Sequence, residues 1–272
     1  MYKLVAIDVD GTLVNDNKKL TQRTIDTIKE ASQKDIKIVI SSARSFYRLQ
    51  DYLYQLELIK ENQYTICFNG AIIIENKNEE IMLSNNFDIE EIWELVSLAK
   101  KFKTSIFLYS MNNVFVEKIP RIIEISKSFK NVKLDLLKFE DINFDKDNIY
   151  KILFVDDYDK VTEIREKIPK KFLQKYEITS SIPECIEFVK KGITKFKSLQ
   201  FICEKCNIEK SEVIAIGDAD NDLEMIDFAG LGVAMGNATD SLKEKANYIT
   251  SSNNDDGVAN VIEKYILKIV DI

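Results

Sequence analysis

Leu4-Val5-Ala6-Ile7-Asp8-Val9-Asp10-Gly11-Thr12 is the stretch from which the rest of the chain can be read. Its apolar residues run without polar alternation, the pattern of a strand buried on both faces of a parallel sheet. Two aspartates follow, two positions apart, and residues so spaced on a strand point the same way. Both carboxylates can therefore face one site at the carboxyl edge of the sheet, where open α/β folds bind ligands. Gly11 permits a sharp exit from the strand. Taken alone, the same stretch reads equally well as an acidic turn, so its meaning depends on what the other strand ends carry.

Outward from this strand, β-type runs alternate with amphipathic helical runs. A helix with Thr21 as N-cap and Leu20 and Ile25 as a hydrophobic staple precedes a strand at Ile36–Ile40. A helix over Ser45–Leu56 and a strand over Tyr64–Phe68 come next. The late chain repeats the rhythm, with a helix near Phe196–Cys206 and strands at Val213–Ile216, Leu231–Met235 and Tyr248–Thr250. A final helix near Val258–Ile269 closes it. Such repetition predicts an α/β fold, a doubly wound, Rossmann-like parallel sheet with right-handed crossovers. The middle of the chain reads differently. A hairpin at Ile72–Leu83 leads into a helix through Ile92–Phe102, strands at Ile106–Tyr109 and Val114–Val116, and a helix near Ile119–Phe129. A strand at Ile152–Val155, a helix through Val161–Ile168, and strands at Tyr176–Thr179 and Cys185–Val189 complete it. Hairpins mixed with helices suggest an α+β unit. The expected organisation is a core of residues 1–82 and 190–272 with an α+β domain of residues 83–189 inserted into it.

Composition narrows the chemistry. The chain has 272 residues, 45% apolar and 31% charged, an ordinary globular balance. No uninterrupted apolar run exceeds four residues, so no membrane span is expected. Met1-Tyr2-Lys3 leads straight into the first strand, without the basic and apolar regions of a secretory signal. A net charge of −7 argues against a nucleic-acid binder. With no histidine at all, a Ser-His-Asp triad, a His base and a His-ligated metal are excluded. Cys67, Cys185, Cys203 and Cys206 offer one C-x-x-C pair, which continues the apolar stripe Phe196, Leu199, Cys203, Cys206. They read as small buried hydrophobes, and sparse thiols fit a cytoplasmic location.

Three further strand ends or junctions carry chemistry. Gly217-Asp218-Ala219-Asp220-Asn221-Asp222 follows the strand at Val213–Ile216 and sets more carboxylates at the same edge. Clustered carboxylates repel unless a cation or proton joins them, and an all-oxygen donor set points to Mg²⁺. Ser41-Ser42-Ala43-Arg44 follows the strand at Ile36–Ile40, where a hydroxyl and N–H groups at a helix start form an anion site. Lys191-Gly192-Ile193-Thr194-Lys195 stands where the outer domain resumes. Together these describe phosphoryl transfer without histidine. Asp8 would attack phosphorus, and Asp10, in its protonated form, would serve the leaving oxygen and then the hydrolytic water. Mg²⁺ would be held by Asp8 and Asp218, with Asp10 and Asp222 completing the acidic set. Ser42 and Lys195 would take the phosphoryl oxygens.

With these motifs in hand, the chain resembles the haloacid dehalogenase superfamily, in particular its Cof-type, sugar-phosphatase-like branch with a large α+β cap. Asp8–Thr12, Ser42, Lys195 and Gly217–Asp222 carry the resemblance. Asn69-Gly70-Ala71, Gly232–Ala238 and Asp256-Gly257-Val258-Ala259 extend it over the whole chain. The resemblance implies a Mg²⁺-dependent phosphatase acting on a small phosphorylated metabolite, with no nucleic-acid or membrane partner. The inserted cap would open and close over the site about hinges near Leu83–Asn86 and Lys190–Gly192. Asn221 is assigned to phosphate binding, while Arg44, Asn69 and Gly70 are expected to line or brace the pocket. The branch usually carries Thr-Gly-Arg where this chain has Ser42-Ala43-Arg44, so Ala43 requires a negative φ or strain. A phosphomutase using the same intermediate and a non-catalytic phosphate-binding module are the alternatives, while oligomeric state is not legible in the residues.

Overall fold

The computed structural model describes residues 1–125, 133–179 and 182–269. They form two compact units, Met1–Ser84 with Thr194–Ile272, and Asn85–Ile193.

In chain order the first unit opens with β1 (Leu4–Asp8), β2 (Lys37–Ser41), β3 (Tyr64–Cys67), β4 (Ile72–Glu75) and β5 (Glu80–Ser84). The second contains β6 (Ser105–Tyr109), β7 (Val114–Val116), β8 (Asp135–Leu136), β9 (Lys151–Val155), β10 (Tyr176–Thr179) and β11 (Cys185–Lys190). The first unit then resumes with β12 (Val213–Gly217), β13 (Leu231–Ala234) and β14 (Tyr248–Ile249).

The first unit is an α/β core whose sheet runs β14-β13-β12-β1-β2-β3-β4-β5. All five residues of β1 and all five of β12 are buried, as expected where helices cover both faces of a sheet. Strands β14 through β3 pair in parallel, whereas β3–β4 and β4–β5 are antiparallel. The hairpin therefore extends the core sheet as an antiparallel margin on an otherwise doubly wound fold. Register positions the site. Ile7 lies level with Ile216, and Asp8 with Ser41. The residues just past three neighbouring strands thus emerge along one edge.

Local signals explain the flanking helices. Thr21 caps the Gln22–Gln33 helix by accepting from the Thr24 N–H, and Thr194 caps Lys195–Cys206 by accepting from the Lys197 N–H. The expected helix over Ser45–Leu56 is divided: Phe46–Arg48 forms a 3₁₀ turn and only Gln50–Gln55 is α-helical. The last helix also ends early, at Ile262, and passes into a wider π turn over Glu263–Leu267. Of the helix expected near Ile119–Phe129, Ile122–Ile125 is helical and residues 126–129 lie outside the described residues.

The second unit is α+β. Its sheet runs β10-β11-β9-β6-β7-β8, antiparallel apart from the β7–β8 pair. One sheet face packs Ile106, Leu108, Ile152, Phe154, Ile186 and Phe188 with apolar residues of the Ile89–Phe102 and Tyr158–Lys167 helices. Phe154 and Phe188 meet with ring centroids 4.6 Å apart. A capping box of Asp88 and Glu91 starts the first of those helices. Among the described residues, no helix is long and apolar enough to cross a membrane.

Candidate active site

Asp8 ends β1, and the turn after it is shaped by Gly11, which has φ of +86°. A Cβ at Gly11 would come within 2.3 Å of Asp218 Oδ2, so the absence of a side chain lets the two acidic loops touch. Thr12 Oγ1 donates to Asp218 Oδ1 at 2.8 Å across that contact. Asp222 is fully buried, and its Oδ2 accepts the N–H groups of Asp218 (3.1 Å) and Ala219 (3.2 Å). Asp8, Asp218 and Asp222 each place a carboxylate oxygen within 4.8 Å of the others.

Lys195 enters this group from the first turn of its helix. Its side chain is wholly buried, and Nζ donates to Asp8 Oδ1 (2.5 Å) and to Asp222 Oδ1 (2.7 Å). Burial opposes the charge on Lys195, but the attraction of Asp222 and Asp8 outweighs it and raises the pKa above the ordinary lysine range. Burial pushes the Asp8 carboxyl up to about 8; Lys195 pulls it back, while Asp222 and Asp218 add to the rise. Asp218 is also raised, chiefly by burial, against the hydrogen bond from Thr12. Three carboxylates and one ammonium leave negative charge in excess, and an oxygen-only donor set of this kind fits a hard divalent cation.

Asp10 takes a different place from the one expected of a member of the acidic metal set. Its carboxylate lies in the fork of Arg44, with Nε at 2.7 Å from Oδ2 and Nη2 at 2.5 Å from Oδ1, and Lys18 Nζ donates to Oδ1 at 2.8 Å. Burial opposes its ionisation, yet the hydrogen bonds from Arg44 and Lys18 prevail and hold it down at about 2. In this geometry Asp10 is a carboxylate, not the protonated acid of the sequence reading. The physical reason is a bidentate guanidinium contact, which no spacing between residues 10 and 44 announces. Arg44 in turn donates from Nη1 to the Tyr52 hydroxyl, and that hydroxyl donates to the Lys18 carbonyl.

Ser42 stands one residue past β2. Its Oγ accepts from the Arg44 N–H at 3.2 Å, leaving the hydroxyl proton to donate, and its N–H donates to the Ile66 carbonyl. The helical turn begins only at Phe46, so Ser42 does not stand at the helix start expected from the sequence. Ala43 has a negative φ and carries no left-handed strain. Asn69 N–H donates to the Ser42 carbonyl, and Asn221 Nδ2 donates to Asn69 Oδ1 at 3.1 Å. Gly70 has φ of +110°, and a Cβ there would meet the Thr194 carbonyl at 2.4 Å. Its own carbonyl accepts from Ser198 Oγ at 2.9 Å, so Gly70 braces the Lys195 helix rather than offering a pocket wall.

Two supports were given no role from the sequence, although one of them, Asn237, lies in the quoted Gly232–Ala238 stretch. Asn237 Nδ2 donates to the Gly11 carbonyl, and Asn253 links Asn237 to Val14 and Asp16. Asn237 could have been suspected, because it follows β13 at the same sheet edge. Asn253 sits in a polar loop with no such signal. The four cysteines form no disulfide with one another, and Cys67, Cys185 and Cys203 are buried.

The chain belongs to the haloacid dehalogenase-like hydrolase family, whose model matches residues 5–262. It is 33% identical over 269 residues to YxeH of Bacillus subtilis (strain 168), covering 98% of this chain and 99% of that protein. It is 34% identical over 267 residues to 5-amino-6-(5-phospho-D-ribitylamino)uracil phosphatase YcsE of the same organism, covering 97% of this chain and 96% of that protein. The crystal structure of a haloacid dehalogenase-like hydrolase from Bacteroides thetaiotaomicron superposes with a TM-score of 0.89 at 31% identity, over 97% of this chain and 99% of that one. The chain is thus an enzyme of the hydrolase class with phosphatases among its relatives.

Proposed function

We propose that this hydrolase cleaves phosphomonoesters of small metabolites through a covalent phosphate on Asp8, with Mg²⁺ as its cation. The observation that carries this reading is the buried group of Asp8, Asp218 and Asp222 with Lys195 between two of its members. Asp8, Asp218 and Asp222 would hold Mg²⁺, which when bound offsets the negative charge of the carboxylates and of an incoming phosphate.

Asp8 attacks phosphorus, the ester P–O bond breaks, and the leaving oxygen receives a proton from Asp10. Water then attacks phosphorus, gives its proton to Asp10, and the Asp8–phosphorus bond breaks to release inorganic phosphate. Before the first turnover Asp10 has to leave the Arg44 fork and take that proton from solvent; in later turnovers it passes on the proton received from the attacking water. Lys195 and the Ser42 hydroxyl hold phosphoryl oxygens and stabilise the charge that gathers on them. The inserted unit selects the metabolite. A small phosphorylated substrate is supported by YcsE, whose name specifies a phosphorylated ribitylaminouracil.

The test is release of inorganic phosphate from p-nitrophenyl phosphate and a panel of phosphorylated metabolites, with Mg²⁺, with EDTA and with Asp8→Asn. Turnover that requires both Mg²⁺ and Asp8 is expected. Full activity of Asp8→Asn would overturn the covalent route. Phosphate transferred to a second sugar rather than to water would make the enzyme a mutase.

A further inference from the structure

The segment that leaves β13 holds both acidic loops. Met235 N–H donates to the Gly217 carbonyl at 3.0 Å and Thr239 N–H to the Asp218 carbonyl at 2.9 Å, so its backbone is tied to the loop that carries Asp218. Between these two contacts stands Asn237, whose Nδ2 donates to the Gly11 carbonyl at 2.8 Å, on the loop after β1. That loop is tied back in turn to Asp8 and Val9. Leu13 N–H donates to the Asp8 carbonyl at 3.2 Å, and Val14 N–H to the Val9 carbonyl at 3.1 Å. A shift at Gly11 is therefore passed to the strand end that carries Asp8.

The amide of Asn237 is itself held. Its Oδ1 accepts the Asn253 N–H at 2.9 Å, and the buried Asn253 side chain donates to the Val14 carbonyl at 3.0 Å and to Asp16 Oδ1 at 3.1 Å. Turning the Asn237 amide over would set its oxygen against the Gly11 carbonyl and its nitrogen against the Asn253 N–H, so the partners fix its orientation. Asn237 does not stand at positive φ, and a left-handed backbone therefore does not explain an asparagine here. It is exposed, and a hydrogen bond that exchanges readily with water adds little to global stability. We infer that Asn237 is a positioning residue for the cation site: by holding the Gly11 loop against the Asp218 loop, it sets the spacing between Asp8 and Asp218. This rests on the Mg²⁺ reading above and adds the residue that gauges the site.

The competing explanations are that Asn237 only stabilises the fold, or that it touches the substrate. Asn237→Ala and Asn237→Leu separate these from positioning, since both remove the amide and leucine keeps its approximate size. Asn253→Ala is the reference for a structural loss, because it strips a partner from the buried Val14 carbonyl and should lower the melting temperature in EDTA by several degrees. Mg²⁺ binding is measured by calorimetry, alongside melting in EDTA and KM and kcat for p-nitrophenyl phosphate across a Mg²⁺ series. Both Asn237 variants should melt like wild type in EDTA and bind Mg²⁺ about tenfold more weakly, the loss typical of a residue that orients a metal ligand without binding the metal. Half-maximal turnover should need correspondingly more Mg²⁺, and KM at saturating Mg²⁺ should match wild type. Wild-type Mg²⁺ affinity in both variants would overturn the assignment. So would a melting loss as large as that of Asn253→Ala, or a KM that stays raised at saturating Mg²⁺. A wild-type protein that binds no Mg²⁺ in the calorimeter would instead defeat the cation reading, and the assignment with it.

Discussion

Lys195 is the residue on which the charge balance turns. It is 187 positions from Asp8 in sequence and 27 from Asp222, yet one ammonium answers both. Removing it takes the ammonium partner from buried Asp222 as well as from Asp8, and breaking a buried pair in this way costs about 3–5 kcal/mol. Lys195→Met should lower stability by that amount in denaturant unfolding without metal, and Mg²⁺ should restore part of it. Turnover should fall by about a hundredfold or more, as expected on removing an electrostatic contact to the transition state. Unchanged stability in EDTA would show that the pair is not what holds the loops.

The raised Asp8 carboxyl gives a pH signature at the same scale. Its pKa is about 8 folded against an unfolded value of 3.8, so the folded state keeps a proton that the unfolded state has lost. Without metal, its contribution therefore falls as pH rises from about 4 to 8. A cation requires the ionised carboxylate and competes with that proton. The Mg²⁺-induced gain in melting temperature should accordingly grow from pH 5 to pH 8 and then level off. Asp10 has the opposite sign: its pairing with Arg44 stabilises the fold above the ordinary aspartate pKa and is lost as pH falls toward 2. A flat Mg²⁺ effect across pH 5–8 would remove Asp8 as the site of proton competition.

At the scale of elements, strand ends and turns do the positioning. The β1 exit works only because Gly11 is backbone at +86° and leaves room for Asp218. Gly11→Ala should lower stability by about 1–3 kcal/mol and weaken Mg²⁺ affinity together, since one Cβ both strains the turn and displaces a cation ligand. Thr21→Ala is the control: loss of its N-cap bond should cost about 1 kcal/mol with Mg²⁺ affinity unchanged. Calorimetric melting and metal titration of both variants check the pair.

Elements were also where the sequence was most readable. Unbroken apolar runs marked β1 and β12, and Thr21 marked the start of the Gln22–Gln33 helix, whereas the Thr194 cap was not read from the sequence. The divided helix after β2 was not legible, because Phe46, Leu49 and Leu53 fit one apolar face whether the backbone is α or 3₁₀ at its start. The early end of the last helix escaped for a similar reason, since a π turn leaves the apolar period nearly intact.

At the scale of the whole molecule, the second of the two compact units has an apolar cluster of its own. The carboxylate cluster belongs entirely to the unit formed by Met1–Ser84 and Thr194–Ile272, whereas Phe154 lies at the centre of the other unit's core. Phe154→Ala should cost about 3–5 kcal/mol of stability in its own unit while leaving Mg²⁺ affinity unchanged. Metal titration below the variant's unfolding temperature tests this, and a large loss of affinity would tie the cation site to the inserted unit's packing.

By itself the sequence determined the α/β class, the antiparallel character of the inserted unit and the carboxyl edge where Asp8, Asp218 and Ser42 gather. These follow from the period of apolar residues and from the rule that parallel strands end together. It also excluded histidine chemistry outright. Only the tertiary structure decided how charges pair across that edge. Asp10 falls to Arg44 and Lys18, Lys195 goes to both Asp8 and Asp222, and Asn221 turns to Asn69. Such pairings depend on side-chain direction and on distances between loops far apart in the chain, and local patterns of hydrophobicity hold no record of either.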